Sequence, residues 1–258
     1  MKTVIITGAA RGIGLATTKR FLNDGYKAAM VDWDEVELEH AAKSLENVLI
    51  LPLDISQPTH TERIIKETYS KFGRIDALIN NAGIAEFNPI EQTDFTTWRK
   101  TMSVNLDGTF LMTKAVIPML KTTSGAIVNV ASISGLRAST LRVAYGTSKA
   151  GVIHLTLQQA VELGEYGIRV NCICPGPVRT KLSVAVHTQE IIKSYHDAIP
   201  LNRYGTEEEI AGVITFLCSE DARYVTGQVI AADGGFEATG VGLPALRDAK
   251  TDIAHPSS

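Results

Sequence analysis

Short uninterrupted apolar runs alternate along the chain with longer stretches in which apolar residues recur every three or four positions. The runs at 4–7, 27–31, 48–53, 77–80, 126–130, 168–174 and 229–232 predict strands. The stretches at 13–24, 35–45, 59–72, 95–121, 143–166 and 207–218 predict helices. Thr59 with Glu62 reads as a capping box and Gly73 as a stop. Pro118 is expected to disturb the end of its helix, and 175–203 to be irregular. Continuous apolar strands, rather than in–out alternation, are what a sheet covered on both faces requires. The expected fold is therefore α/β, a parallel sheet between helix layers. No linker or repeat interrupts it, which predicts one domain over 1–240, including a loop at 181–203, and a loosely attached tail at 241–258.

Composition narrows the function. The chain has 258 residues, 45% hydrophobic and 21% charged, enough for a sizeable core. With 25 basic and 28 acidic side chains the net charge is −3, which argues against nucleic acid or an anionic membrane as partner. Aromatic content of 6% weakens a base-stacking platform further. No apolar stretch approaches 18 residues, and the first run is too short for a signal sequence. The cysteines, Cys172, Cys174 and Cys218, lack CxxC spacing, and the histidines lack HxxxH spacing, so no metal is expected. Sparse cysteines suit a reducing cytoplasm.

The chemistry begins where the first strand meets the first helix, at Thr7-Gly8-Ala9-Ala10-Arg11-Gly12-Ile13-Gly14. Glycines allow a tight turn and let backbone N–H groups approach a pyrophosphate, and the helix N-terminus favours that anion. Asp32 closes the second strand, 18 residues after Gly14. A carboxylate at this distance accepts from a ribose 2′-hydroxyl and repels a 2′-phosphate, which indicates NAD rather than NADP. A turn-forming role for Asp32 beside Asp34 and Glu35 stays open, and Arg11 pulls towards a 2′-phosphate.

Tyr145 and Lys149 lie four apart, on one helix face. A phenol, with a usual pKa near 10, becomes a usable base when an ammonium stands one turn away. Tyr145 then takes an alcohol proton while hydride leaves to the cofactor. Ser132 follows the strand at 126–130, where open α/β sheets bind ligands, and could hold the substrate oxygen or simply cap a turn.

Taken in order, Thr7-Gly-x-x-x-Gly-x-Gly14, Asn80-Asn81-Ala82-Gly83, Ser132, Tyr145-x-x-x-Lys149, Pro175-Gly176-Pro177-Val178-Arg179-Thr180 and Asp233-Gly234-Gly235 resemble the short-chain dehydrogenase/reductase family. The resemblance implies a doubly wound Rossmann domain of seven parallel strands, order 3-2-1-4-5-6-7. It assigns Asn105 to a proton relay with Lys149, Asp54 and Ile55 to adenine, and Asn81, Ala82 and Gly83 to the adenosine side. Pro175, Gly176, Val178 and Thr180 would meet the nicotinamide, and Lys149 its ribose. It also implies a homotetramer packed through the helices at 95–121 and 143–166.

The expected reaction interconverts a secondary alcohol, or a sugar hemiacetal, with its carbonyl. A 3-oxoacyl-carrier-protein reductase is the alternative within enzymes, disfavoured by Asp32. Ser134, Arg137, Arg142 and Arg179 fall on expected pocket walls, with Lys181 and His187 beyond. Arg142 opposes the dipole of its helix, which calls for a compensating partner. Such cations would suit an anionic or heavily hydroxylated small-molecule substrate; solvated or ion-paired side chains are the other reading.

Overall fold

The computed structural model describes residues 1–179 and 188–240. Seven strands, β1 (Thr3–Thr7), β2 (Lys27–Asp32), β3 (Val48–Pro52), β4 (Ala77–Asn80), β5 (Ala126–Val130), β6 (Arg169–Pro175) and β7 (Val229–Ala232), form one sheet in the order β3-β2-β1-β4-β5-β6-β7. Every pairing is parallel. Around it lie α1 (Gly12–Asn23), α2 (Glu35–Ala42), α3 (Pro58–Phe72), α4 (Phe95–Met102), α5 (Gly108–Thr123), α6 (Ile133–Leu136), α7 (Val143–Leu163), α8 (Gln189–Ala198) and α9 (Glu207–Cys218).

The apolar strands are continuous because both faces are covered. Val4 and Ile6 pack with Phe21, Met30, Ile210 and Ile214, whereas Ile5, between them, packs with Leu51, Ile64, Leu78 and Leu120 on the opposite face. Chain order reverses between β1 and its two neighbours, β2 and β4, and it is in the crevice past the carboxyl-end rim at such a point that open α/β sheets bind ligands. The functional motifs lie on this rim.

Four local expectations change. Pro58 takes the first turn of α3, where its missing N–H costs nothing, so the helix starts before Thr59 and Gln57 is the cap. The capping box belongs instead to α9, where Thr206 Oγ1 accepts from Glu209 N at 3.2 Å and Glu209 Oε2 from Thr206 N at 2.8 Å. The helix expected over 95–121 is interrupted not by Pro118, which α5 carries in its interior, but by a π-helical segment, Ser103–Asp107. Finally, α6, a single turn, and α8, an amphipathic helix inside the stretch expected to be irregular, were not anticipated.

Candidate active site

The Gly-rich loop is built around close approaches. Gly8 and Gly12 have φ of +65° and +59°, a region that side chains resist. A Cβ on Gly14 would stand 2.0 Å from the Gly8 carbonyl oxygen, so only glycine lets α1 begin there. Around Gly12 a Cβ would meet only Glu207 Oε1, at 3.8 Å, which leaves the face over the loop open. Arg11, the N-cap of α1, makes no side-chain cap, and Ile13 packs against the core. Uncapped N–H groups above an open glycine suit a pyrophosphate.

The loop is fixed to its neighbours by polar contacts. Thr7 Oγ1 accepts from Asn81 N and Ala82 N, both at 3.0 Å, and Asn81 Nδ2 donates to Thr7 O and Gly8 O at 2.9 and 3.1 Å. Thr7 opens the Gly-rich motif, but the sequence assigned its hydroxyl no role, because its partners lie 74 and 75 residues away. Asp32 Oδ2 accepts from Ala10 N at 3.1 Å and Oδ1 from Asp34 N at 3.2 Å, so its carboxylate joins β2 to the loop. Arg11 forms an ion pair with Asp34. The Glu37 backbone N–H, then Arg11, hold the Asp34 carboxyl below its usual range. Asp54 Oδ1 accepts from Ser56 N at 2.9 Å, a turn contact, while Ile55 is buried against Gly108.

Across the crevice, α6 lies flush on α7. A Cβ on Gly135 would come 2.8 Å from Lys149 C, and one on Gly146 would come 3.0 Å from Ser134 O. This packing sets the turn that follows β5, which begins at Ser132, against the first part of α7, which carries Tyr145 and Lys149. Ser132 caps α6, its Oγ accepting from Ser134 N at 3.1 Å. Lys149 is 4% exposed, and its Nζ donates to Val130 O at 2.8 Å. The same Nζ stands 5.8 Å from the Tyr145 ring centre.

Asn105 sits in the π-helical segment, where the widened turn aims it inward. Oδ1 accepts from Ile84 N at 2.8 Å; Nδ2 donates to Ile84 O at 3.0 Å and Ser148 Oγ at 2.9 Å. Ser148, which the spacing from Tyr145 could have flagged, donates to Tyr145 O at 2.7 Å. A Cβ on Gly83 would come within 3.2 Å of Asn105 Oδ1 and 3.3 Å of Lys149 Nζ, so glycine lets the two converge.

Of the cationic residues, Arg142 finds aromatic partners, with Cζ 4.3 Å from the Phe87 ring centre and 5.3 Å from that of Tyr145. Two ring faces, rather than an anion, compensate its place at the start of α7. Arg137 pairs with Glu237. Arg179 is exposed, and Arg179 N donates to Gly205 O at 2.9 Å beside the buried Val178. Pro175 ends β6, and a Cβ on Gly176 would come 2.6 Å from Asp233 Cβ. Thr180, Lys181 and His187 lie outside the described residues.

Against known proteins, a family profile described as enoyl-(acyl carrier protein) reductase matches residues 8–237. The meso-2,3-butanediol dehydrogenase of Serratia marcescens is 35% identical over 240 residues, covering 92% of this chain and 95% of that one. A 3-oxoacyl-(acyl-carrier-protein) reductase of Thermotoga maritima is 38% identical over 239 residues, 91% of this chain and 97% of its own. The crystal structure of levodione reductase superposes with a TM-score of 0.87 at 36% identity, covering 93% of this chain and 98% of that one.

Proposed function

This chain belongs to the short-chain dehydrogenase/reductase family, and from that premise we propose that it is an NAD-dependent dehydrogenase of a small secondary alcohol, polyol or sugar. The enzyme interconverts alcohol and carbonyl with a nicotinamide cofactor, as its dehydrogenase and reductase relatives indicate. The observation that carries the reading of the site is the buried Lys149, anchored on Val130 O, two residues before Ser132, with its Nζ 5.8 Å from the Tyr145 ring centre. In this reading Ser132 Oγ holds the substrate oxygen and Tyr145 Oη takes the hydroxyl proton. Lys149 favours the phenolate and passes the proton towards Asn105 and solvent. A bound nicotinamide supplies the hydride acceptor.

Gly8, Arg11, Gly12, Ile13 and Gly14 would hold the pyrophosphate, and Asp32 the adenosine 2′-hydroxyl. Asp54, Ile55, Asn81, Ala82 and Gly83 would frame the adenosine; Pro175, Gly176, Val178 and Thr180 would frame the nicotinamide. The Arg11–Asp34 pair supports NAD, because it occupies the cation that a 2′-phosphate would need. Asp32 disfavours the 3-oxoacyl-carrier-protein reductase reading. Arg137 and Arg142 are both engaged within the chain, which favours an uncharged hydroxylated substrate over an anion.

We read residues 1–240 as the catalytic domain and the protein as a cytoplasmic homotetramer. Exposed Phe95, Phe110, Leu157 and Val161 on α4, α5 and α7 offer its apolar interface. The deciding experiment is initial rates of NADH and NADPH formation against a panel of polyols, sugars and hydroxy acids. Absence of turnover with every alcohol would refute the reading.

A further inference from the structure

Arg137 stands in the connection between Ser132 and Tyr145, yet its guanidinium is committed to a turn a hundred residues further on. Nη1 donates to the Thr239 carbonyl at 3.2 Å, Nη2 to the Glu237 carbonyl, and Nε lies 2.7 Å from Glu237 Oε2. That last contact is an ion pair without hydrogen-bond alignment. The other end of the turn is held by Asp233, whose Oδ1 accepts from Gly235 N at 2.9 Å and Oδ2 from Glu237 N at 2.6 Å. Asp233 in turn abuts Gly176 of the motif assigned to the nicotinamide. The stretch 233–239 therefore touches one wall of the crevice through Asp233 and the opposite wall through Arg137.

The wall that Arg137 begins is tied inward and at its far end as well. Ser139 Oγ lies 3.0 Å from Ser134 Oγ, and Ser134 N donates to Ser132 Oγ. Asn88 N donates to Leu141 O at 3.1 Å, and Arg142 stacks on Phe87. Leu141 adopts φ of +61°, a conformation that non-glycine residues keep only where surroundings hold it. The far tie uses its own neighbours; among the described residues, the near tie runs through Arg137 alone.

We propose that Arg137 is a positioning residue that latches the 137–142 wall to the 233–239 turn and so sets how wide a substrate can reach Ser132 and Tyr145. The proposal rests on the assignment of those two residues to the chemistry. An exposed ion pair contributes little by itself, and both side chains here are about two-fifths exposed, 43% and 37%. The selectivity therefore comes mainly from the two carbonyls that a forked guanidinium can serve at once and an ammonium cannot.

The test compares Arg137→Gln, Arg137→Lys and Glu237→Gln with the wild type. Four readouts are needed: kcat and KM for 2-butanol and for the wider cyclohexanol, the Kd for NADH, and hydrogen exchange over 133–142. Arg137→Gln is expected to shift the ratio of kcat/KM towards cyclohexanol by about tenfold through KM, the scale of one lost charge-assisted hydrogen bond. Exchange over 133–142 should rise while the Kd for NADH stays within about twofold, well under 1 kcal/mol. Arg137→Lys should shift the ratio in the same direction, and Glu237→Gln should do so less than either. An unchanged ratio or unchanged exchange in Arg137→Gln overturns the latch, as does a ratio that moves only together with the Kd for NADH. Where the wild type turns over neither alcohol, exchange over 133–142 alone decides the latch, and the assignment of Tyr145 is left to the alcohol panel above.

Discussion

Replacing Asp32 by Asn separates the two roles that one carboxylate carries. Its two oxygens accept from Ala10 N and Asp34 N, at 3.1 and 3.2 Å. An Asn offers one carbonyl oxygen, so one of these N–H groups must turn to water. Because the site is only half-buried, this should cost about 0.5–1.5 kcal/mol. For a chain of this size that is a fall in Tm of about 1–6 °C. The cofactor effect is larger. Loss of a charged acceptor for the 2′-hydroxyl weakens NAD binding by about 1–2 kcal/mol, since Asn still accepts. Relief of repulsion against a 2′-phosphate adds about 1–2 kcal/mol, well below the roughly 4 kcal/mol for two unit charges 4 Å apart at an effective dielectric of 20, because solvent screens the rim. Together these reduce the NAD over NADP preference in kcat/KM by about 30–1000-fold. The assay is initial rates with both cofactors on one alcohol, with Tm from calorimetry. A fall in Tm with the preference unchanged would refute the ribose role and leave Asp32 a turn residue.

Gly14→Ala, whose Cβ would stand 2.0 Å from the Gly8 carbonyl oxygen, should lose cofactor binding outright; a Kd for NADH near that of the wild type would show that the loop yields. Tyr145→Phe should retain NADH binding and fold but lose about 10²–10⁴-fold in kcat, and a variant keeping a tenth of the rate would remove the phenol from the chemistry. The Arg203 guanidinium, which bonds both oxygens of Glu209 at 2.9 and 2.6 Å, holds that carboxyl down to about 2. A depressed folded pKa contributes stability above the unfolded value, which disappears as pH falls towards about 2. The difference in Tm between wild type and Glu209→Gln should therefore shrink as pH drops below about 4.3, the ordinary Glu value, and narrow with salt; a constant difference would assign the effect to helix capping alone.

The sequence by itself determined the layered fold, which is written in local spacing, while the site residues were read as a set only through the resemblance that the ordered motifs carry. Buried strands must read as unbroken apolar runs, and a helix must bring residues four apart onto one face, so the sheet and the Tyr145–Lys149 pair follow from periodicity. The glycines at 8, 12 and 14 are legible for a similar reason: a Cβ would collide at Gly8 and Gly14, and Gly8 and Gly12 hold positive φ, which side chains resist. Helix starts were less legible at Thr59, where Pro58 displaced the cap, and inside 95–121, where the π-helical turn at Asn105 answers to Ile84 and Ser148 rather than to its own neighbours. Only the tertiary structure decided which cations face the crevice. Arg142 lies on Phe87 and Arg137 on the 237–239 carbonyls, contacts across 55 and about 100 residues that no local pattern encodes. A charged side chain on a pocket wall takes the nearest partner that restores its lost hydration, and which partner is nearest is settled by how the elements pack.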